Sequence, residues 1–226
     1  RSSGSLEQWQ EEIGEVCIGN PLLIFCCGAA LSAPLLSSSG VENTIFHIYG
    51  DSGSGKSTAL KVATSVLGDE SIMRTWLSTA NGLAAAAALH HDVPLFLDEL
   101  SQARAEDVDT AVYSICNGRP KLRANETGQL AIGEPWRTIA LSNGEVTLEE
   151  HMAQLGKVPL AGQLSRVVEI PAVGQHGVFD ALHGHNGPDL LAALLDLIEQ
   201  AQESLKLFYY IFAADGSGEQ VRGALI

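Results

Sequence analysis

This sequence is short of positive charge. Across 226 residues, 13 Lys+Arg stand against 27 Asp+Glu, a formal net charge of −14. Such a balance excludes a protein that wraps nucleic acid with its whole surface, while leaving room for a local basic element. Cysteine is scarce too. Cys17, Cys26, Cys27 and Cys116 show no CxxC spacing, so a disulfide scaffold is excluded and the thiols read as buried groups of a reducing, cytoplasmic compartment. No charged n-region and cleavage site mark a signal peptide. The most apolar uncharged stretch, residues 21–36, contains Gly28 and Pro34 and falls short of the roughly 20 residues a membrane span needs. It is expected to be a buried helix, with no membrane as partner. Only 18% of residues are charged and 46% are hydrophobic, which excludes a disordered chain. The length suits one domain, or one with a small appendage. Because the chain starts at Arg1 and stops at Ile226 inside an unfinished helical pattern, it reads as a piece of a larger protein, whose other domains are then partners.

Along the chain, Ser5 followed by Gln8 resembles a capping box opening a helix over 6–18. Asn20-Pro21 then reads as an N-cap with proline at the first helical position. After the loop SSSG (37–40), β-rich runs at 45–49, 72–76, 94–97, 138–142 and 166–170 alternate with helical patterns at 56–67, 82–90, 106–116 and 148–155. This alternation predicts an α/β domain with a largely parallel, buried sheet. The expected organisation is an N-terminal helical segment over 1–43 and a core over 44–172 carrying an inserted hairpin at 118–137. A truncated helical, lid-like appendage follows over 173–226, with its helix beginning near Asp189.

The strongest motif is GDSGSGKS (50–57), which matches G-x-x-x-x-G-K-[ST] between a strand and a helix. Gly50, Gly53 and Gly55 let the backbone turn its N–H groups inward, and with Asp51, Ser52, Ser54 and Thr58 they form a phosphate cradle at a helix N-terminus. Lys56 is placed to reach the β- and γ-phosphates and Ser57 to offer a hydroxyl to Mg²⁺, so ATP and Mg²⁺ are the expected ligands. A second motif, VPLFLDE (93–99), is an apolar strand ending in two acids. There Asp98 belongs to the Mg²⁺ shell and Glu99 stands where a base activates the attacking water. The adjacent acids favour hydrolysis over small-molecule kinase chemistry. Third, TIALSNGE (138–145) delivers Asn143 to the same end of a parallel sheet, where it can position the water. The plainer alternative is a turn built on Asn143-Gly144.

A basic island interrupts the acidic chain. Arg119, Lys121, Arg123 and Arg137 lie among only two acids, Glu126 and Glu134, and the phase of Lys121, Arg123 and Asn125 with the turn signal NETG suggests a hairpin. It reads either as a contact to a nucleic-acid backbone or as a solvated connector. Arg166, opening the last strand, reads as an arginine finger acting on a neighbouring subunit's nucleotide or as a surface ion pair with Glu169 or another acid. Arg222 is a weaker candidate for a role in cis. His183 and His185 lie among glycines without a Cys or carboxylate to complete a metal site, and His90-His91 reads as a helix end.

These residues together resemble the AAA+ branch of P-loop ATPases. More narrowly, the chain is similar to domain-of-unknown-function family 927, the helicase-like module of phage, plasmid and cassette-chromosome replication proteins. The likeness runs through GNPLL, FHIYGDSGSGKSTAL, TANGLAAAAALHHD, LFLDELSQ, VYSICNGRPKLRA, WRTIALSNGE and AGQLSRVVEIPA. It implies five strands in the order 5-1-4-3-2, helices on both faces and a homo-oligomeric, hexameric ring with ATP between subunits. It also implies movement on single-stranded or forked DNA through a hairpin before the sensor strand, which favours the DNA reading of the island and the trans reading of Arg166. An AAA+ switch acting on a protein partner is the alternative.

Overall fold

The computed structural model describes residues 5–68, 70–119, 123–124, 130–131, 134–154, 156 and 166–200. Five runs form one parallel sheet: β1 (Thr44–Tyr49), β2 (Arg74–Thr75), β3 (Leu95–Asp98), β4 (Ile139–Gly144) and β5 (Val167–Pro171). The order across it is β2-β3-β4-β1-β5, the expected 5-1-4-3-2 read from the other edge. Parallel neighbours need long crossovers, and helices supply them. The longer ones are α1 (Pro21–Ser32), α2 (Lys56–Thr64), α3 (Ala80–Leu89), α4 (Ala105–Asn117), α5 (Leu148–Gln154) and α6 (Gly187–Gln200).

The side-chain alternation of the strands divides the interior in two. Ile45, Leu95, Leu97 and Ala140 join residues of α3, α4 and α5 on one face. Ile48, Phe96, Ile139 and Leu141 join residues of α1, α2 and α6 on the other. Burying each large apolar side chain contributes roughly 1.5–3 kcal/mol, so the central strands, covered on both faces, must be apolar throughout. The cysteines lie inside this packing as free thiols. Burial pushes Cys26 and Cys116 up to about 12, which keeps them as inert thiols.

Local signals explain most boundaries. Ser5 Oγ accepts from the Gln8 N–H at 3.3 Å, opening helical turns that run from Leu6 to Cys17 with a π-helical stretch at Gln10–Gly14. Pro21 occupies the first turn of α1, as expected, but Asn20 makes no side-chain cap there. Its buried amide is used elsewhere. It donates to the Val16 and Ala181 carbonyls and accepts from the Asp180 and Ala181 N–H groups, fastening the N-terminal turns to the segment after β5. The apolar helix is also longer than the sequence run implied. Pro21–Ser39, 19 residues, is the one helix among the described residues long and apolar enough to cross a membrane. Leu23, Cys26 and Ala30 are nevertheless wholly buried against the α2 side of the sheet.

β2 is shorter than expected. Residues 70–72 form a 3-10 turn, and as an edge strand β2 pairs only through Arg74 with Leu97 and Thr75 with Asp98. The island does contain a hairpin. Arg123–Ala124 and Leu130–Ala131 pair antiparallel, while Lys121 and Asn125 lie outside the described residues. So do Arg222 and the expected continuation of the last helix beyond residue 200.

Candidate functional site

In a parallel sheet every strand delivers its C-terminal residue to the same edge, and this edge collects the chemistry. β1 leads into the loop Gly50–Gly55 and then α2, β3 ends at Asp98-Glu99, and β4 carries Asn143 level with Ile48. In the loop, Gly53 and Gly55 adopt φ of 77° and 85°, a region disfavoured for residues with a Cβ. At Gly55 a Cβ would also come within 2.8 Å of Val178 Cγ2, so glycine is required twice over. The first N–H groups of α2, at Lys56, Ser57 and Thr58, have no partner inside the helix, which makes its N-terminus an anion site. Thr58 is buried. Lys56 is buried as well and folds back over the loop, its Nζ donating to the Gly50 and Asp51 carbonyls at 2.8 and 2.7 Å and to Ser54 Oγ at 3.3 Å.

Beside the loop, three side chains and the Glu99 backbone N–H make one polar cluster. Ser57 Oγ donates to Asp98 Oδ1 at 3.1 Å. Asn143 is 1% exposed and spends its amide on three contacts. Its Nδ2 donates to Asp98 Oδ1 at 2.7 Å and to Ser57 Oγ at 3.1 Å, and its Oδ1 accepts from the Glu99 N–H at 2.7 Å. Asn143 and Gly144 both lie within β4, so the turn alternative for this dipeptide is wrong: the pair ends a strand and does not close a loop. Ser57 and Asp98 offer a hydroxyl and a carboxylate side by side, hard oxygen donors that fit a magnesium ion. Among the described residues, Glu99 is one of three other than glycine with positive φ. A strained backbone at the end of β3 is a common mark of a working site.

A second set of groups supports β4 and was not legible in the sequence. His47 Nε2–H donates to the Val146 carbonyl at 3.0 Å, and its Nδ1 accepts from the Ser142 hydroxyl at 2.9 Å. Ser142 Oγ in turn accepts from Trp76 Nε1–H at 2.8 Å. The relay joins β1, β4 and the residue after β2 next to Asn143, and it requires a neutral imidazole. Burial pushes His47 down to about 4, opposed by its bond to Val146, with smaller influences from His151, Glu99 and Lys56. The neutral-only requirement makes this group stabilising in full above the unfolded value of about 6.5, and that contribution is lost as pH falls toward 4. A shift of this size is worth about 3 kcal/mol. Urea unfolding at pH 7 and pH 4.5 therefore shows an acid destabilisation that is shallower by about 2–3 kcal/mol in His47→Gln. An unchanged pH dependence in the variant would contradict the relay.

The loop after β5 closes one side of the site. The Val178 N–H donates to the Ser54 carbonyl at 2.8 Å, and a pocket of about 600 Å³ opens between the phosphate loop and this segment, lined among others by Asp51, Gly55, Val173, His176 and Leu191. Its size is that of small-molecule sites.

Other sequence candidates lie elsewhere. Arg166 immediately precedes β5, and its carbonyl accepts from the Ile45 N–H, so it sits at the opposite end of the sheet from the phosphate loop. Six residues of strand place the two about 20 Å apart. Its guanidinium lies 5.8 Å from the centroid of the Tyr113 ring, while the Glu169 carboxylate accepts from the Leu148 N–H at 2.6 Å. The hairpin leaves from that same far end. Its base is closed by the Trp136 N–H donating to the Gly118 carbonyl at 2.8 Å and by Asn43, whose amide bonds the Ile115 and Trp136 carbonyls and the Thr138 N–H. Arg119 at this base is exposed, and Arg123 lies on the first hairpin strand. Arg137 must be removed from the basic island, because Asp92 takes it in a two-pronged ion pair at 2.9 and 3.1 Å. His90 caps the end of α3 as expected. Among the described residues no group of three or more His, Cys, Asp or Glu side chains could hold a metal ion.

No curated protein matches the sequence. Among solved structures the chain is similar to SCCmec type IV Cch, an active helicase, with a TM-score of 0.66 and 22% identity over 98% of this chain and 40% of that one. The chain thus spans well under half of that protein, and at this identity the likeness speaks for the fold. NtrX from Brucella abortus in complex with ATP is a more distant neighbour, with a TM-score of 0.41 and 15% identity over 87% of this chain and 49% of that one. Residues 1–132, more than half of the sequence, match the family described as Domain of unknown function (DUF927), and the chain belongs to that family.

Proposed function

We propose that this chain is an ATP-hydrolysing AAA+ motor domain, a DNA helicase or helicase-like replication ATPase of a mobile genetic element. The observation that carries the reading is the convergence of Lys56, Ser57, Asp98, Glu99 and Asn143 on one sheet edge, beside a glycine loop at a helix N-terminus. Backbone N–H groups of residues 50–58 cradle the phosphates, and Lys56 exchanges its loop carbonyls for β- and γ-phosphate oxygens. Ser57 and Asp98 hold Mg²⁺, which supplies charge neutralisation at the phosphates when bound. Glu99 takes a proton from the attacking water, whose oxygen bonds to the γ-phosphorus as the bond to ADP breaks, and Asn143 orients that water. The pocket between the loop and Val173, His176 and Leu191 takes the base and ribose.

The similarity to an active helicase supports DNA as the partner, with the hairpin residues Arg119, Lys121 and Arg123 contacting its backbone. Arg166 lies too far from its own phosphate loop to act in cis, so its role is to complete the site of a neighbouring copy in a ring, taken to be a hexamer. The cytoplasm is the proposed compartment. Loss of Arg137 to Asp92 thins the basic island and keeps a second reading in view, an AAA+ switch acting on a protein partner.

The double variant Lys121→Ala/Arg123→Ala separates the two. Under the DNA reading, single-stranded DNA stimulates ATP hydrolysis by the wild type, and the double variant loses that stimulation while keeping basal turnover. Full stimulation in the double variant would overturn the hairpin assignment, and a wild type indifferent to DNA would favour the protein-partner switch.

A further inference from the structure

The pocket of about 600 Å³ beside the phosphate loop has unlike walls. The loop contributes Asp51, Ser52 and Ser54. The segment after β5 and the first turn of α6 contribute, besides glycines, Ala172, Val173, Phe179, Pro188, Leu191 and His176. Five of these six side chains are apolar. The backbone of the segment is committed to the fold. Ala172, His176, Gly177, Val178 and Phe179 donate their N–H groups to carbonyls of β1, the phosphate loop or the segment itself, and Gln175 donates to the Asp180 carboxylate. Pro188 has no N–H. The segment's other N–H groups, at Val173 and Gly174, are donors, and adenine and guanine both carry ring-nitrogen acceptors that suit a donor. Choosing between those bases takes a donor and an acceptor fixed side by side at the base edge. His176 does not fix such a pair, because its exposed neutral ring presents either a donor or an acceptor according to tautomer.

We propose that this pocket is indifferent to the base, so that the site accepts nucleoside triphosphates as a class, GTP as readily as ATP. The inference rests on the reading of the site as an ATPase and widens its substrate. The triphosphate is gripped by the loop and Lys56, while the base is only packed against apolar walls. A site that hydrogen-bonds a substrate group rejects an analogue lacking it by about 10⁴–10⁵-fold, whereas an apolar pocket rejects a polar isostere by only about 10²-fold. Here the wall is also open, with Val173 79% exposed, so polar groups of the base keep their water and the discrimination falls to about 10-fold or less.

The test measures kcat/KM for ATP and GTP, and the affinities of their non-hydrolysable analogues, in the wild type and in Leu191→Ala. In the wild type the two nucleotides are expected to agree within about 10-fold in both measurements. Leu191 is partly buried against the core, and trimming it removes apolar wall without changing hydrogen bonding. Leu191→Ala is therefore expected to weaken both analogues by the same factor, about 3- to 10-fold. A larger preference of the wild type for either base overturns the proposal. So does a Leu191→Ala effect confined to one analogue, or no effect on either, which would place the base elsewhere. Equal binding of both analogues with no turnover of either nucleotide would instead remove hydrolysis and leave the indifferent pocket standing.

Discussion

Replacing Glu99 by glutamine is expected to leave ATP binding intact and to reduce hydrolysis by about 10²-fold or more, as base assistance and water positioning are lost together. Binding survives because the cradle is built from other parts, the loop backbone, Lys56 and the first N–H groups of α2. The backbone of residue 99 is also unaffected, since Asn143 holds its N–H and not its side chain. An amide keeps the size of the carboxylate but cannot accept a proton from water, so the loss falls on kcat. Single-turnover hydrolysis with saturating protein, beside equilibrium binding of a labelled nucleotide, measures both halves. Turnover within a few-fold of wild type would remove Glu99 from the mechanism.

Lys56→Ala acts one step earlier and is expected to abolish nucleotide binding at ordinary ligand concentrations. In the structure the ammonium is satisfied by two carbonyls and a hydroxyl of its own loop, partners it can exchange for phosphate oxygens. Charge-assisted bonds of this kind contribute roughly 1.5–3 kcal/mol each, so losing two weakens affinity by about 10²–10⁴-fold. Removing the ammonium also leaves the Gly50 and Asp51 carbonyls without their donor, and the loop loses its shape as well as its charge. Calorimetric titration with ATP reports the affinity, and unfolding midpoints without ligand show that the core is retained. Near-normal binding would mean that the loop does not hold phosphate.

The parts of this site readable in advance are those where backbone geometry or topology dictates residue type. Gly53 and Gly55 announce the loop because no side chain fits their conformation. The run LFLD announces a strand covered on both faces because its residues must be apolar until the edge is reached. Asn143 follows from the rule that parallel strands end together. What could not be read depends on partners distant in sequence. Asn20 looked like a helix cap, yet its amide is spent on residues 180 and 181. Arg137 looked like part of a basic surface until Asp92 was found against it. The alternation of β1 turns His47 inward, but nothing local says that Ser142 and Trp76 wait there.

The proposed function is that the cluster at the sheet edge turns over ATP in response to DNA. ATP hydrolysis should therefore be followed with and without single-stranded DNA over a range of protein concentrations, with Glu99→Gln as the blank. The expected result is turnover that DNA stimulates and that rises more than proportionally with protein concentration, as sites shared between copies require. Turnover indifferent to both DNA and protein concentration would rule out a DNA-driven motor with shared sites.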